Sequence, residues 1–244
     1  MKDFFKLKEH GTTTKTEVLA GITTFLSMAY ILAVNPSMLA AAGMDSGAVF
    51  TATAVSAAIA SLIMGFYANY PVALASGMGL NAYFAYSVCP MLAGMGITDP
   101  WQVALAAILV EGVIFIILSI FKFREALVNS VPANLKYGIS AGIGLFITIV
   151  ALEGAGIIAD DASTLVTLGD VSQPNFVLAM VGLILIGIMW HFKVKGSILW
   201  GILATWILGI FAQLIGWYQG NSLIPSFTNL LPPSLGPTFF KFNF

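Results

Sequence analysis

Long apolar runs, separated by short polar stretches, recur along the whole chain and set its organisation. Runs of roughly 20 apolar residues are the length that crosses a bilayer as a helix. They predict span 1 over 17–35, with Pro36 ending it because proline disfavours helix in the residue before it. Further runs predict span 2 over 49–67, span 4 over 101–121, span 5 over 135–152, span 6 over 176–190 and span 7 over 198–217. Thr12, Thr13, Thr14 and Thr16 offer hydroxyl caps for the first helix.

The run over 71–90, PVALASGMGLNAYFAYSVCP, does not read as an uninterrupted helix. Pro71 opens it, Gly77 and Gly79 loosen its centre, Asn81 places an amide at membrane depth and Pro90 closes it. Glycine, and an amide able to bond its own backbone, both favour leaving the helix. A break in a bilayer is tolerated only where protein or a water-filled cavity covers the freed backbone groups. Broken spans of this kind point to a transporter's binding site. The pattern predicts an extended 72–76, an N-cap at Asn81 and a half-helix over 82–89 whose free amides meet a ligand rich in acceptors. The competing reading is an unbroken helix, packed closely at Gly77 and Gly79, with Asn81 bonded to a neighbour.

Composition places the chain in the membrane class. Of its 244 residues, 59% are apolar and only 9% charged, with a mean hydropathy of +0.94. The run over 18–34 is longer than a signal-peptide core, so it reads as a retained first span. One cysteine, Cys89, excludes an internal disulfide and reads as a small apolar helix residue. Seven crossings put the termini on opposite sides. With the N-terminus cytoplasmic, nine of the ten basic residues lie inside, among them Lys122, Arg124, Lys136, Lys193 and Lys195. Asp45, Asp99, Glu153, Asp160, Asp161 and Asp170 then lie outside, as the positive-inside rule asks.

Few residues could carry chemistry. Glu111 is the only carboxylate in the middle of a span, either a proton-coupling group or a structural hydrogen-bonding group. Span 1 carries Thr23, Thr24, Ser27 and Tyr30, with Thr23, Ser27 and Tyr30 spaced to share a face. Such a stripe either joins helices or lines a path, and Tyr30 could stack on an aromatic ring. Small residues four apart, Gly138 with Gly142 and Ser140 with Gly144, allow close helix packing. His10 and His191 stand apart from other ligand types, so no metal site is expected. No nucleophile constellation or phosphate-cradling loop appears, so an enzyme is not expected. The basic residues are too few and peripheral for nucleic acid.

Three motifs carry a family resemblance: AGITTFLSMAYILAVNPSML over 20–39, GMGLNAYFAY over 77–86 and FREALVNSVPANLKYGISAGIGLF over 123–146. Together they resemble the AzgA-like branch of the nucleobase–cation symporters, the guanine, hypoxanthine and adenine permeases. The resemblance implies an all-α polytopic fold of the uracil-permease type, with fourteen spans in two inverted seven-span repeats. It further implies a third span made of a short strand and a half-helix. It divides the chain into a cytoplasmic tail (1–16), spans 1–4 of a core domain (17–121), spans 5–7 of a gate domain (122–217) and an extracellular loop (218–244).

It implies a purine nucleobase site over 72–81, with Gly77, Met78, Gly79 and Leu80 as the contacts, mostly through backbone; Asn81, and Thr24 and Tyr30 from the polar stripe of span 1, are further candidate contacts. The implied coupling ion is H⁺, with Na⁺ left open, and no cofactor. The partners implied are the purine, the lipid bilayer and a second repeat, spans 8–14 or a partner chain; a homodimer stays open. An unpaired strand at membrane depth is costly, so the chain is expected to be the N-terminal half of a longer permease in the cytoplasmic membrane. Two alternatives remain at this point: a transporter of another solute or anion on the same fold, and a truncated membrane protein that transports nothing.

Overall fold

The computed structural model describes residues 5, 7, 9, 11–120, 129–194, 196–220, 222–224 and 231–244. Lys2, Lys6, Lys8, His10, Lys122, Arg124 and Lys195 lie outside these residues, as does the 123–128 part of the third motif. The described chain is mostly helical. Its elements are α1 (Thr14–Met28), α2 (Ile31–Ala40), α3 (Ser46–Phe66), α4 (Met78–Tyr83), a π-helical turn (Phe84–Val88), α5 (Cys89–Gly94) and α6 (Pro100–Ile120). After these come α7 (Ala133–Gly154), β1 (Ile158–Asp161), β2 (Leu165–Leu168), α8 (Pro174–His191) and α9 (Ser197–Leu214).

Six stretches among the described residues are long and apolar enough to cross a bilayer: 14–40 across its interruption, α3, α6, α7, α8 and α9. Their apolar side chains face outward. No residue of α7 is buried, and Ile116 of α6 is 64% exposed. A helix apolar all round in this way is suited to lipid as its solvent.

Two expected stops are not stops. Pro36 lies inside α2, and the hydrogen-bond ladder lapses upstream at Ala29 and Tyr30 instead. Ala29 keeps right-handed helical angles, φ −58 and ψ −27, so the interruption is one of hydrogen bonding. Pro90 likewise does not close the third run, which stays helical to Gly94. It sits inside a continuous helical run, directly after the wider π turn, which is where the helix departs from α geometry ahead of the proline. The hydroxyl cap expected at the first helix is present, with Thr13 Oγ1 accepting from the Thr16 amide at 3.3 Å. Asp45 caps α3 in the same way, accepting from Ala48 N at 2.7 Å.

The chain divides into two compact units. The first comprises 1–30, 58–75 and 151–231. In it, α8 and α9 form a helical hairpin whose turn uses left-handed angles at Lys193 (φ 54) and Gly196 (φ 76). The two helices approach closely because glycine faces a bulky partner twice. A Cβ at Gly182 would overlap Thr205, and one at Gly201 would overlap Ile186. Beyond α9 the chain is tied back by Leu223, whose carbonyl accepts from Trp206 Nε1 at 3.0 Å and whose amide donates to Gln213 Oε1 at 2.9 Å.

This unit also holds an antiparallel strand pair, β1 with β2, where only loop was expected. Its turn is built on Asp161, which accepts from Ser163 N at 2.8 Å, Thr164 N at 2.9 Å and Thr164 Oγ1 at 3.0 Å. The Thr164 amide, and then the other two donors, hold the Asp161 carboxyl below the usual carboxylate range.

The second unit comprises 31–57, 76–150 and 232–244. One apolar cluster joins Phe84 and Cys89 to Trp101 and Ala104 of α6. A second joins Met38 of α2 to Ala82 and Ala85, with Phe146 of α7 against it. Thr51 Oγ1 donates to the Pro233 carbonyl at 2.8 Å and fixes the last segment to α3.

Replacing Gly201 by leucine should lower the stability of the α8–α9 hairpin by about 1–3 kcal/mol, because the new side chain meets Ile186. Gly187, with no atom within 4 Å of its missing Cβ, should tolerate leucine. Loss of helicity on SDS titration distinguishes the two, and equal midpoints would contradict the packing described.

Candidate functional site

The third apolar run is broken, as its prolines and glycines predict, but the joint falls four residues earlier than expected. Residues 69–77 belong to no helix or strand. Gly77, at φ −78 and ψ 105, is the extended N-cap of α4, and Asn81 N donates to Gly77 O at 3.1 Å to close the first turn. Asn81 is therefore not the cap. It sits in the fourth position of the helix, and its side chain is used elsewhere.

The extended segment has no strand partner among the described residues. In place of one, a single hydroxyl of α3 holds it. Ser61 Oγ accepts from the Leu74 amide at 2.9 Å and donates to the Leu74 carbonyl at 3.2 Å. Both of these backbone groups are thus satisfied as a neighbouring strand would satisfy them.

Beyond the cap, Asn81 Nδ2 donates to Asn35 Oδ1 at 2.6 Å, and Asn35 Nδ2 donates to Thr53 Oγ1 at 2.8 Å. Thr53 in turn donates to the Val49 carbonyl at 2.7 Å. This chain of bonds links α4 to α2 and α2 to α3, with Asn35 and Thr53 both buried. Asn35 is the residue that sequence reasoning missed. An asparagine in an otherwise apolar run was its signal, obscured by the adjacent Pro36.

Several groups at the joint have no partner among the described residues. An α-helix leaves its first amides without intrahelical acceptors, here those of Met78, Gly79 and Leu80, and Gly77 has no side chain to cap them. Ser76 Oγ, beside the cap, is buried without a hydrogen bond among the described residues. Space around Gly77 is open, whereas a Cβ at Gly79 would press on Ile143 of α7. Gly79 is thus required by packing. Leu80 is 72% exposed. A cradle of this kind presents donors from the backbone and one hydroxyl, and suits a neutral ligand with ring-nitrogen or carbonyl acceptors.

The other predicted residues stand differently. Thr24 donates to the Ala20 carbonyl at 2.9 Å, Thr23 to Leu19 at 2.8 Å and Ser27 to Thr24 at 2.7 Å, so the stripe on α1 is bonded to its own helix. Tyr30 lies at the interruption between α1 and α2 and is partly exposed. Thr24 and Tyr30 belong to the first unit, Gly77–Asn81 to the second. Glu111 lies exposed midway along α6 and makes no hydrogen bond or ion pair among the described residues. No group of His, Cys, Asp and Glu that could hold a metal occurs among them.

Membrane-length helices around a broken run define a multi-pass membrane protein. The sequence profile of the Permease family (Xan_ur_permease) matches residues 15–243, and the chain belongs to that family. It is 44% identical over 221 residues to the guanine/hypoxanthine permease PbuO of Bacillus subtilis, covering 91% of this chain and 50% of that protein. It is 44% identical over 231 residues to the adenine permease AdeP of Escherichia coli, covering 95% and 49%. A second Bacillus subtilis guanine/hypoxanthine permease, PbuG, is 44% identical over 250 residues, covering 98% and 54%. The chain spans about half the length of these relatives, which are transporters rather than enzymes.

A double-mutant cycle of Asn35→Ala and Asn81→Ala should give a coupling of about 0.6–1.7 kcal/mol, the range for hydrogen bonds between membrane helices. Unfolding in SDS measures it, and additive effects would remove the bond from the account.

Proposed function

We propose that the chain is the N-terminal repeat of a proton-coupled permease for purine nucleobases, with hypoxanthine, guanine or adenine as substrate. The observation that carries this reading is the Gly77 joint, where the amides of Met78–Leu80 and the Ser76 hydroxyl have no hydrogen-bond partner among the described residues. A purine edge offers ring nitrogens and, in hypoxanthine and guanine, a carbonyl, all of them acceptors for such donors. The names of the relatives, guanine/hypoxanthine and adenine permeases, support this substrate class.

In this reading the broken run, continued through α5, is a third crossing, so the repeat has seven spans. A second repeat, or a partner chain, completes the site and supplies a strand beside 72–76. The N-terminus is cytoplasmic and the membrane is the cytoplasmic one, supported by nine of ten basic residues falling on one side. Spans 1–4 belong to a core domain that carries the base. Spans 5–7 belong to a gate domain against which the core moves to alternate access. Glu111 serves coupling or helix association rather than base recognition.

Uptake of labelled hypoxanthine and guanine, in cells without purine uptake of their own, tests this reading. A chain carrying both repeats should accumulate the base and dissipate a proton gradient. Gly77→Val there should lower uptake at least tenfold by crowding the joint, whereas Glu111→Gln should leave base binding nearly intact. Complete loss of binding in Glu111→Gln would place the carboxylate in the site. A folded two-repeat chain that moves no purine would sink the proposal.

A further inference from the structure

The turn between α8 and α9 holds a second cleft, of about 470 Å³, walled by α1 through Thr23 and Ser27. We propose that this cleft binds a phosphate group, either of a lipid headgroup or free in solution. It lies at the joined ends of two membrane-length helices, and so at a membrane face whichever way the chain is oriented. The inference is independent of the purine reading, since none of these residues belongs to the Gly77 joint.

The donors come from three sources. The first is the start of α9, an 18-residue helix whose N-cap, Gly196, has no side chain to cap it. The amide of Ser197 is used by Val194 O at 3.2 Å, and that of Trp200 by Gly196 O at 3.0 Å. Those of Ile198 and Leu199, both lining the cleft, have no acceptor among the described residues. Helix N-termini of this form attract oxyanions through free amides and the positive end of the dipole.

The second source is Ser197 itself. It lines the cleft, is only 5% exposed and yet makes no side-chain hydrogen bond among the described residues. An oxyanion in the cleft would give this hydroxyl an acceptor. The third source is Lys193 and Trp190, two further lining residues whose side chains carry an ammonium and an indole N–H. Left-handed backbone at Lys193 (φ 54) and Gly196 (φ 76) folds the turn so that lysine and helix start line one cleft.

Among the described residues no carboxylate lines the cleft to oppose an anion. Across from the helix start, Thr23 and Ser27 donate to carbonyls of α1, and each can turn its proton to a ligand oxygen by giving up that bond. A tetrahedral phosphate, with several acceptor oxygens, uses more of these donors at once than a planar carboxylate would.

The test uses the purified 244-residue chain in a neutral detergent, titrated by calorimetry with short-chain phosphatidylglycerol, short-chain phosphatidylcholine and inorganic phosphate. Saturable binding should appear with phosphatidylglycerol or with inorganic phosphate. Phosphatidylcholine carries the same phosphodiester beside a quaternary ammonium that the Lys193 charge repels, so it should bind at least tenfold more weakly. Phosphatidylglycerol binding that inorganic phosphate does not displace identifies the lipid headgroup; binding of inorganic phosphate that displaces it identifies the free anion. Lys193→Gln should weaken binding about tenfold and Ser197→Ala several-fold, in line with loss of one charge-assisted and one neutral hydrogen bond. Because Ser197 is buried, Lys193→Gln at an exposed position decides the matter if Ser197→Ala fails to fold. Unchanged affinity in a folded Lys193→Gln, equal binding of phosphatidylcholine, or no saturable binding by either anion would overturn the proposal.

Discussion

The amide of Asn35 is the point on which the second unit depends. Its oxygen accepts a hydrogen bond from Asn81 Nδ2 at 2.6 Å and its nitrogen donates one to Thr53 Oγ1 at 2.8 Å, so one side chain joins three helical elements. Each such bond between membrane helices contributes only about 0.6 kcal/mol on average. The larger quantity is the penalty for a buried polar group left unpaired, roughly 1–3 kcal/mol. Alternative placements of α4 are therefore disfavoured more by what they would leave unsatisfied than by what they would lose. The start of α4, the Gly77 cap and the orphaned Ser76 hydroxyl all inherit their position from this link.

Much of this was legible in the residues. Pro71, Gly77 and Gly79 marked the break, and the apolar runs marked the six long stretches within a few residues of their ends. The cap was misplaced because Asn81 answers to Asn35, a partner 46 positions away that no local pattern discloses. Pro36 and Pro90 were read as terminators by a local rule, yet both lie within helical runs. Around each, the backbone adjusts nearby, by a lapse at Ala29–Tyr30 in one case and a π turn in the other. The strand pair at β1 and β2 went unseen because its turn depends on three donors converging on one carboxylate, Asp161. Ser197 and the α9 start drew no notice either, since a serine next to a glycine is unremarkable until its burial is known.

The helix starts divide into two kinds. α1 and α3 are capped by the side chains of Thr13 and Asp45, which use amides that a ligand would otherwise find. α8 begins at Pro174, which removes one such amide altogether. α4 and α9 begin at glycines, with amides left open and, beside each, a serine hydroxyl without a hydrogen bond among the described residues.

The π turn at Phe84–Val88 carries a consequence for how this segment can vary. A turn with one residue more than the α-helix offsets everything after it by about 100°. Ala82 and Ala85 pack with Met38, while Phe84 and Cys89, five positions apart, pack with Trp101 and Ala104. One continuous helical run thus serves two clusters that a uniform α-helix would not address together. Substitutions within it can be absorbed one at a time. A change in its length cannot, because every later side chain would be reassigned to a new neighbour. Natural variation in this stretch should therefore take the form of exchanged residues rather than gained or lost ones.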